Sequence, residues 1–379
     1  MRNRENKGHT SEPQKRRLRD WTTGRAVAAS VLAVFAFYAL QLALFHSGWY
    51  NKYLEPNSTT GQVEYRLFWL RRTWPAKVPD ILVVGDSRVA EGFSAPVAGA
   101  SVGGRLHFVN WGMPGTPPRV WYYALRDMEE DRNRFSAIVI EFDRYSDLDG
   151  TETVQDRAAD LNYLAGRLSL GDCLDFARSY SDSSIARTIF TGCIFRGIPL
   201  RADVRQFLSD ISARREHARV WRNRGAEYVN DYDGKSETLA GLTFDAANRR
   251  IDFPPGMSEN QIATVKGTIT PDPAPQTGAL TAYRRKWIGG ILDLYRNSPT
   301  RIVFIQIPNA PLPLPDSTAP ARFIDSVRGR RGLSVLPPDA FKDLQRPEFF
   351  ADGLHLNSKG RILFSAKLAK ELEPVMERR

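Results

Sequence analysis

Histidine and cysteine are scarce in this chain. Only five histidines and two cysteines occur among its 379 residues. A zinc site needs several such ligands at short spacing, and neither cysteine lies near a second cysteine or a histidine in the sequence. We therefore predict no metal and no cofactor. In an oxidising compartment Cys173 and Cys193 would form one disulfide, and in a reducing one they would be buried thiols; the sequence leaves both open.

The chain also lacks a basic surface interleaved with aromatic residues. Its net charge is +10, but residues 1–25 hold eight Lys and Arg against three acidic residues. This segment therefore carries a net charge of +5, half of the total. Nothing in the remainder has the basic stripe that is typical of nucleic-acid binding. We predict no nucleic-acid partner, and we interpret residues 1–25 as a basic cytoplasmic tail.

Charge is absent from residues 26–45. Twenty helical residues rise about 30 Å, which is the thickness of a bilayer's hydrocarbon core. Basic residues precede this stretch and Trp49, Tyr50 and Tyr53 follow it, as is typical of a single membrane span with a cytoplasmic N-terminus. A cleavable signal peptide is the weaker alternative, because the apolar stretch is long and lacks a good cleavage site. A buried globular helix also fits poorly beside this basic flank.

Residues 26–45 are thus predicted to be a transmembrane signal anchor through which the protein contacts the membrane. Residues 46–78 would form a linker with a helix over 62–74. The main domain, residues 79–379, would lie outside the cytoplasm, in a periplasmic compartment beside the inner or plasma membrane.

Strands and helices alternate in this main domain, which predicts an α/β fold with a parallel sheet and helices on both faces. The predicted strands are Ile81–Val84, Leu106–Asn110, Ala137–Phe142, Arg301–Gln306 and Gly332–Leu336. Residues from about 146 to 276 interrupt the alternation and form one long insertion, with polar helical stretches over 156–170 and 200–222. A proline-rich segment from Pro308 through Pro315 to Pro320 predicts a lid or rim.

Gly85-Asp86-Ser87 follows the first strand at its carboxyl end, where open parallel sheets place their ligands. A serine on a sharp turn between a buried strand and a helix is well placed to act as a nucleophile. The tripeptide alone is equally compatible with an ordinary turn, so its interpretation depends on a partner base.

The base is identified by elimination among the five histidines. His9 falls in the tail, His46 at the membrane edge, His107 in a strand and His217 on a charged helix face. His355 remains, three residues after Asp352 in a loop before the last helix. In an Asp-x-x-His segment the carboxylate can hold one ring nitrogen while the other faces a serine. We predict Ser87, His355 and Asp352 as nucleophile, base and orienting acid.

Three segments resemble sequence blocks of the SGNH/GDSL hydrolase family: Val83-Val-Gly-Asp-Ser87, Val109-Asn-Trp-Gly-Met-Pro-Gly115 and Asp352-Gly-Leu-His355-Leu-Asn357. The resemblance covers about 81–145 and 278–372. It implies a flavodoxin-like, five-stranded parallel sheet and the same three catalytic residues. It also implies an oxyanion hole made by the backbone N–H groups of Ser87 and Gly115.

The family's third block usually supplies an asparagine to the oxyanion hole, and this chain departs from it. The corresponding segment, Glu141-Phe-Asp-Arg-Tyr-Ser-Asp147, contains no asparagine. Arg144 or Tyr145 would be the alternative donor; equally, Asp143 and Arg144 would form a structural ion pair. Loss of one oxyanion donor typically lowers the rate about 10²–10³-fold.

The expected function is that of a membrane-anchored serine esterase or acyltransferase. The resemblance to membrane-anchored members of this family implies a small ester or an acylated glycan as substrate, with O-acyl groups such as acetyl on a cell-envelope component. The sequence does not separate hydrolysis from transfer. The alternative is a catalytically weak or inactive protein of the same fold, which binds an acyl or glycan ligand or scaffolds a membrane acyltransferase. The absent asparagine motivates this alternative, and the retained serine, aspartate and histidine argue against it.

Overall fold

The computed structural model describes residues 12–72, 77–129, 131–146, 157–224, 232–245, 248, 250–269, 279–308, 310–313 and 320–377. Residues 1–11 of the predicted basic tail lie outside this range, as do 73–74 of the predicted linker helix, parts of the insertion, and Pro315 with its neighbours in the predicted lid.

The N-terminal helix, α1, covers Glu12–Gln41 and continues as a π-helical turn over Leu42–His46. It begins inside the predicted tail rather than at residue 26, so the polar residues that directly precede the span are helical as well. The segment Thr23–His46 is long and apolar enough to cross a membrane, and only 6% of its most apolar window is buried in the protein. Apolar side chains such as Leu32 and Phe35, 71% and 69% exposed, lack a protein covering that a globular helix would have.

A short 3-10 turn, Tyr50–Tyr53, and helix α2, Thr59–Arg72, connect this segment to the sheet. The apolar side chains of Val63, Leu67 and Leu70 on α2 are buried in the main core. The predicted linker helix is therefore present, and it is packed against the domain rather than extended away from it.

The described residues form seven strands: β1 (Asp80–Gly85), β2 (His107–Gly112), β3 (Ala137–Phe142), β4 (Thr243–Asp245), β5 (Arg250–Asp252), β6 (Arg301–Gln306) and β7 (Leu333–Val335). Five of them make a parallel sheet in the order β2-β1-β3-β6-β7, while β4 and β5 pair as a separate antiparallel hairpin. The five-stranded parallel sheet is confirmed, with the doubly wound strand order that flavodoxin also has.

The helices that follow α2 are α3 (Ser87–Gly92), α4 (Ala95–Ser101), α5 (Pro118–Met128), α6 (Asp160–Leu164), α7 (Asp172–Arg178), α8 (Ser183–Ile194), α9 (Arg201–Ser209), α10 (Ile211–Arg224), α11 (Glu259–Ile269), α12 (Ala279–Leu294), α13 (Arg322–Val327) and α14 (Ser358–Glu377).

Two apolar clusters cover the two faces of the sheet. Leu82 and Val84 of β1 belong to one cluster, with α5, α12 and α13. Ile81 and Val83 belong to the other, with α4 and α14. Because successive side chains of a strand point to opposite faces, the continuous apolar run of β1 is what a strand covered on both sides requires. Helices on both faces are thus confirmed.

The insertion differs from its prediction in detail. Only the short helix α6 forms within the helical stretch expected over 156–170, and the stretch expected over 200–222 is two helices that meet at Asp210. Cys173 on α7 and Cys193 on α8 are joined by a disulfide with a Cα–Cα distance of 5.5 Å. Helices α6, α7 and α8 contribute to the cluster that contains α5. Those helices therefore share the core of the sheet.

Candidate active site

The turn after β1 places Ser87 at the carboxyl edge of the sheet. A Cβ at Gly85 would lie 2.4 Å from Val89 Cγ2 and 2.5 Å from Glu141 Cδ, so only glycine fits there. Asp86 caps α3, since its Oδ1 accepts the Arg88 backbone N–H at 2.8 Å. Ser87 is the first residue of α3, and its side chain is partly exposed.

His355 lies beside this serine. Its Nε2 is 2.8 Å from Ser87 Oγ, and its Nδ1 is 2.9 Å from Asp352 Oδ2. The fold brings together residues 268 positions apart in the chain. With the Nδ1 proton directed at the carboxylate, Nε2 is the acceptor for the serine hydroxyl. The three residues predicted as nucleophile, base and orienting acid therefore form one continuous hydrogen-bonded chain.

Asp352 is held in its ionised form. Burial by itself would raise its pKa, but hydrogen bonds from the His355 ring and from the backbone N–H groups of Leu354 and His355 outweigh burial and keep the pKa of Asp352 well below its usual range. Both backbone donors lie 2.8 Å from Oδ1. A carboxylate fixed in this way orients the imidazole and stabilises the imidazolium that forms when His355 takes a proton.

The loop after β2 carries Gly115, which has a φ of +72°. This left-handed conformation favours glycine. The loop is fixed to β1 by the Met113 N–H, which donates to the Gly85 carbonyl at 2.9 Å, and to the insertion by the Tyr163 hydroxyl, which donates to the Pro114 carbonyl at 2.8 Å. In the part of the chain that the structure describes, the backbone N–H groups of Ser87 and Gly115 have no hydrogen-bond acceptor.

The structure places the two residues predicted as alternative third oxyanion donors, Arg144 and Tyr145, in different surroundings. The Tyr145 hydroxyl lies 3.0 Å from the Phe304 carbonyl and 2.9 Å from the Leu336 carbonyl, and the residue is 5% exposed. These acceptors belong to β6 and to the end of β7, whereas Ser87 follows β1, two strands away from β6. Tyr145 is therefore a core residue, and its hydroxyl lies within hydrogen-bond distance of backbone carbonyls at the ends of two strands.

Arg144 lies at the end of β3, next to β1, with a half-buried side chain. Burial lowers the pKa of its guanidinium. Its backbone carbonyl accepts a 2.7 Å hydrogen bond from the Arg284 guanidinium, which fixes the segment. Among the described residues, the Arg144 side chain has no hydrogen-bond or ion-pair partner.

The predicted ion pair between Asp143 and Arg144 is wrong, since Asp143 pairs with Arg88. The Arg88 guanidinium also contacts Asp86 Oδ2 at 2.9 Å and Glu141 Oε1 at 3.8 Å. These charges reach the same arginine because Asp86 directly precedes α3, and Glu141 and Asp143 lie at the end of β3, the strand next to β1. The sequence neighbours Asp143 and Arg144 thus have different surroundings.

Glu141 is a residue that sequence reasoning missed. It is fully buried, and burial together with the Asp86 charge raises the pKa of Glu141 well above its usual range. Its Oε1 accepts the backbone N–H of Asp86, so it fixes the turn that carries Ser87. The signal in the sequence was a single acid inside the otherwise apolar strand Ala137–Phe142.

A second missed residue is Lys235, which belongs to the insertion. Its Nζ lies 3.3 Å from Asp352 Oδ2 and 2.9 Å from Glu91 Oε2. Burial lowers the pKa of this ammonium, but the two carboxylates outweigh burial and raise it. The Lys235 carbonyl accepts the Ser358 N–H, directly after the loop that carries Asp352 and His355. No local pattern around Lys235 indicates this contact, because the partner lies 117 residues away.

Helix α11 of the insertion also contacts the loop that carries Asp352 and His355. Gln261 Nε2 donates to the Ala351 carbonyl at 2.8 Å. A Cβ at Gly353 would lie 2.5 Å from the Thr264 carbonyl carbon, so α11 and the loop are in close contact. The insertion therefore fixes the segment that carries Asp352 and His355.

The described residues include no group of three or more His, Cys, Asp or Glu side chains arranged to hold a metal ion. No protein-family model matches the chain, and no curated protein matches it.

Proposed function

We propose that this protein is a serine esterase or acyltransferase of the SGNH/GDSL type. The observation that carries the proposal is the chain of hydrogen bonds from Ser87 Oγ through His355 to Asp352, with distances of 2.8 Å and 2.9 Å. An activated serine beside a base and an orienting carboxylate is the common arrangement of acyl-transfer enzymes. Its place at the carboxyl edge of a doubly wound sheet supports the same assignment.

The reaction begins when His355 Nε2 takes the hydroxyl proton as Ser87 Oγ bonds to the acyl carbon of the ester. The resulting oxyanion accepts hydrogen bonds from the backbone N–H groups of Ser87 and Gly115. As the tetrahedral intermediate collapses, the bond to the leaving alkoxide breaks and His355 returns the proton to that oxygen. An acyl group is then held on Ser87. Water or a sugar hydroxyl attacks it in the same way, which gives hydrolysis or transfer.

Arg144 is the third oxyanion donor in this proposal, in place of the family's asparagine. It follows the end of β3, the strand next to β1, by two residues, and its guanidinium is half buried without a partner among the described residues. Tyr145 is not proposed for this role, because its hydroxyl contacts carbonyls at β6 and β7. A charged donor forms a stronger hydrogen bond to an oxyanion than a neutral one.

The proposed substrate is an O-acyl ester on a glycan or another cell-envelope component. The proposed location is the outer face of the inner or plasma membrane, with the N-terminus in the cytoplasm. A helix that can span a membrane, a basic segment before it and a disulfide in the domain support this location.

The test compares two serines in the full chain. Ser183, like Ser87, is the first residue of a helix and follows a capping aspartate. Hydrolysis of an aryl acetate should be lost in the Ser87→Ala variant and unchanged in Ser183→Ala. Equal turnover by wild type and Ser87→Ala would contradict the proposal. Correctly folded wild-type protein without turnover on any acyl ester would favour the alternative, a binding or scaffold protein.

A further inference from the structure

The domain packs back along the N-terminal helix. The Phe195 ring lies 6.2 Å from that of Phe37 and 6.1 Å from that of Tyr38, between centroids. The Gly197 N–H donates to Gln41 Oε1 at 3.0 Å. The loop after α8 therefore contacts the helix well before the end of its apolar stretch.

These contacts fix the depth of the loop. Phe37 precedes Phe45, the last residue of the apolar stretch, by eight residues, or about 12 Å along a helix. The attachment is tight, because Arg196 Nη1 donates to the Phe45 carbonyl at 2.9 Å and His46 Nε2 lies 2.9 Å from the Ile194 carbonyl. If the apolar stretch fills the hydrocarbon core, the contacts of this loop extend from the outer boundary of that core at Phe45 to about 12 Å inside it at Phe37.

The surface around this loop has the chemistry of a membrane contact. Phe190 and Ile198 are 41% and 47% exposed, although both are large and apolar. Residues 183–202 contain no acidic residue. Arg187 lies on the Phe190 side of α8, three residues before it, and Arg201 lies three residues after Ile198; both arginines are exposed. We name these four residues, with Phe195, the α8 surface.

We propose that the α8 surface is inserted in the outer leaflet of the bilayer and binds anionic lipid headgroups through its arginines. Exposed apolar side chains rimmed by basic residues are typical of interfacial binding. The contacts with Phe37 and Tyr38 argue for lipid over a protein partner, because they place the loop at membrane depth. The inference rests on the proposed membrane anchor and does not depend on the proposed catalysis.

Depth-dependent quenching tests this inference in the full chain. The two native cysteines form a disulfide, so one added cysteine carries an environment-sensitive fluorophore. We compare Ile198→Cys with Ile362→Cys in vesicles of phosphatidylcholine and phosphatidylglycerol that contain spin-labelled lipids. Ile362 is a matched control: it is 52% exposed and lies on α14, which covers the opposite face of the sheet. We expect at least about threefold stronger quenching at position 198.

A third label distinguishes the anchor from the α8 surface. Phe35→Cys places the fluorophore within the apolar stretch. Quenching at position 35 with equal, weak quenching at 198 and 362 would overturn the inference and leave the anchor intact. No quenching at position 35 would overturn both. Because neither readout depends on esterase activity, failure of the proposed function would be recognised separately.

Charge variants test the lipid chemistry. With the fluorophore at position 198, the double variant Arg187→Glu/Arg201→Glu should reduce quenching about twofold in vesicles with phosphatidylglycerol and have less effect in pure phosphatidylcholine. Arg285→Glu/Lys370→Glu, at two exposed positions on α12 and α14, is the control. The same reduction from both pairs, or none from either, would contradict recognition of anionic headgroups by the α8 surface.

Discussion

Among the residues that the structure describes, two Asp-Ser pairs open helices, and their surroundings differ. Asp86 accepts the N–H of Arg88, and Asp182 accepts those of Ser184 and Ile185, so each aspartate caps its helix. Ser87 and Ser183 follow as the first helical residues. Ser183 is exposed on the insertion, whereas Ser87 lies 2.8 Å from the imidazole of His355.

The difference lies in what the fold brings to each turn. A strand buried on both faces precedes Asp86, and Glu141 from the neighbouring strand holds its backbone N–H. The loop of Asp352 and His355 then approaches from a segment more than 260 residues away in the chain. Before Asp182 the chain forms the end of α7 and a turn, and this segment contains no histidine. Local sequence makes both serines helix starts, and only long-range packing makes one of them a candidate nucleophile.

The largest effect after loss of the nucleophile is expected from Asp352→Asn. Asparagine keeps the size of the side chain but favours the wrong imidazole tautomer, which should lower kcat about 10⁴-fold. Steady-state hydrolysis of an aryl acetate by the full chain measures this. Asp182→Asn, at the other capping pair, should leave kcat within about twofold. A small loss in Asp352→Asn would mean that the carboxylate does not orient the base.

Arg144→Met should lower kcat about 10²-fold with little change in KM, because an oxyanion donor acts mainly in the transition state. Arg285→Met removes an exposed arginine from α12 and serves as the control. If Arg144→Met changes KM alone, the arginine binds substrate and the third donor must be sought elsewhere.

Lys235→Met should have a smaller effect, lowering kcat by less than about tenfold. The ammonium is one of several groups around Asp352, whose backbone hydrogen bonds remain. Lys235→Arg should retain most of the activity, since it preserves the positive charge between Asp352 and Glu91. Equal losses in both variants would mean that packing at this position, and not charge, supports the loop that carries Asp352 and His355.

The smallest effect is on stability, and it compares the two caps directly. Asp182→Ala should lower the free energy of unfolding by about 1 kcal/mol, as the loss of a helix cap typically does. Asp86→Ala should cost more, because it also removes a partner from the largely buried Arg88. Chemical denaturation of the two variants measures the difference. Equal losses of the free energy of unfolding would show that the contacts of Arg88 with Asp86, Glu141 and Asp143 do not stabilise the turn.

The sheet could be predicted because buried strands leave a local apolar pattern in the sequence. The set of Ser87, His355 and Asp352 could be predicted because histidines are scarce. Apolar runs such as Ile81–Val84 indicate buried strands, and with so few histidines His355 could be found by elimination. The hydroxyl contacts of Tyr145 and the pairing of Asp143 with Arg88 could not be predicted, since each depends on which strand ends lie side by side. Lys235 was missed for the same reason. The insertion has no repeating apolar pattern that would have fixed its helices.

Mass spectrometry after reaction with a fluorophosphonate tests the central claim most directly, because only an activated serine reacts readily with this reagent. In the wild-type full chain we predict one adduct, located on Ser87, with none on Ser183. The adduct should be lost in His355→Ala, in which the serine remains but its base is removed. An unlabelled Ser87 in the folded protein, or labelling that persists in His355→Ala, would contradict the account.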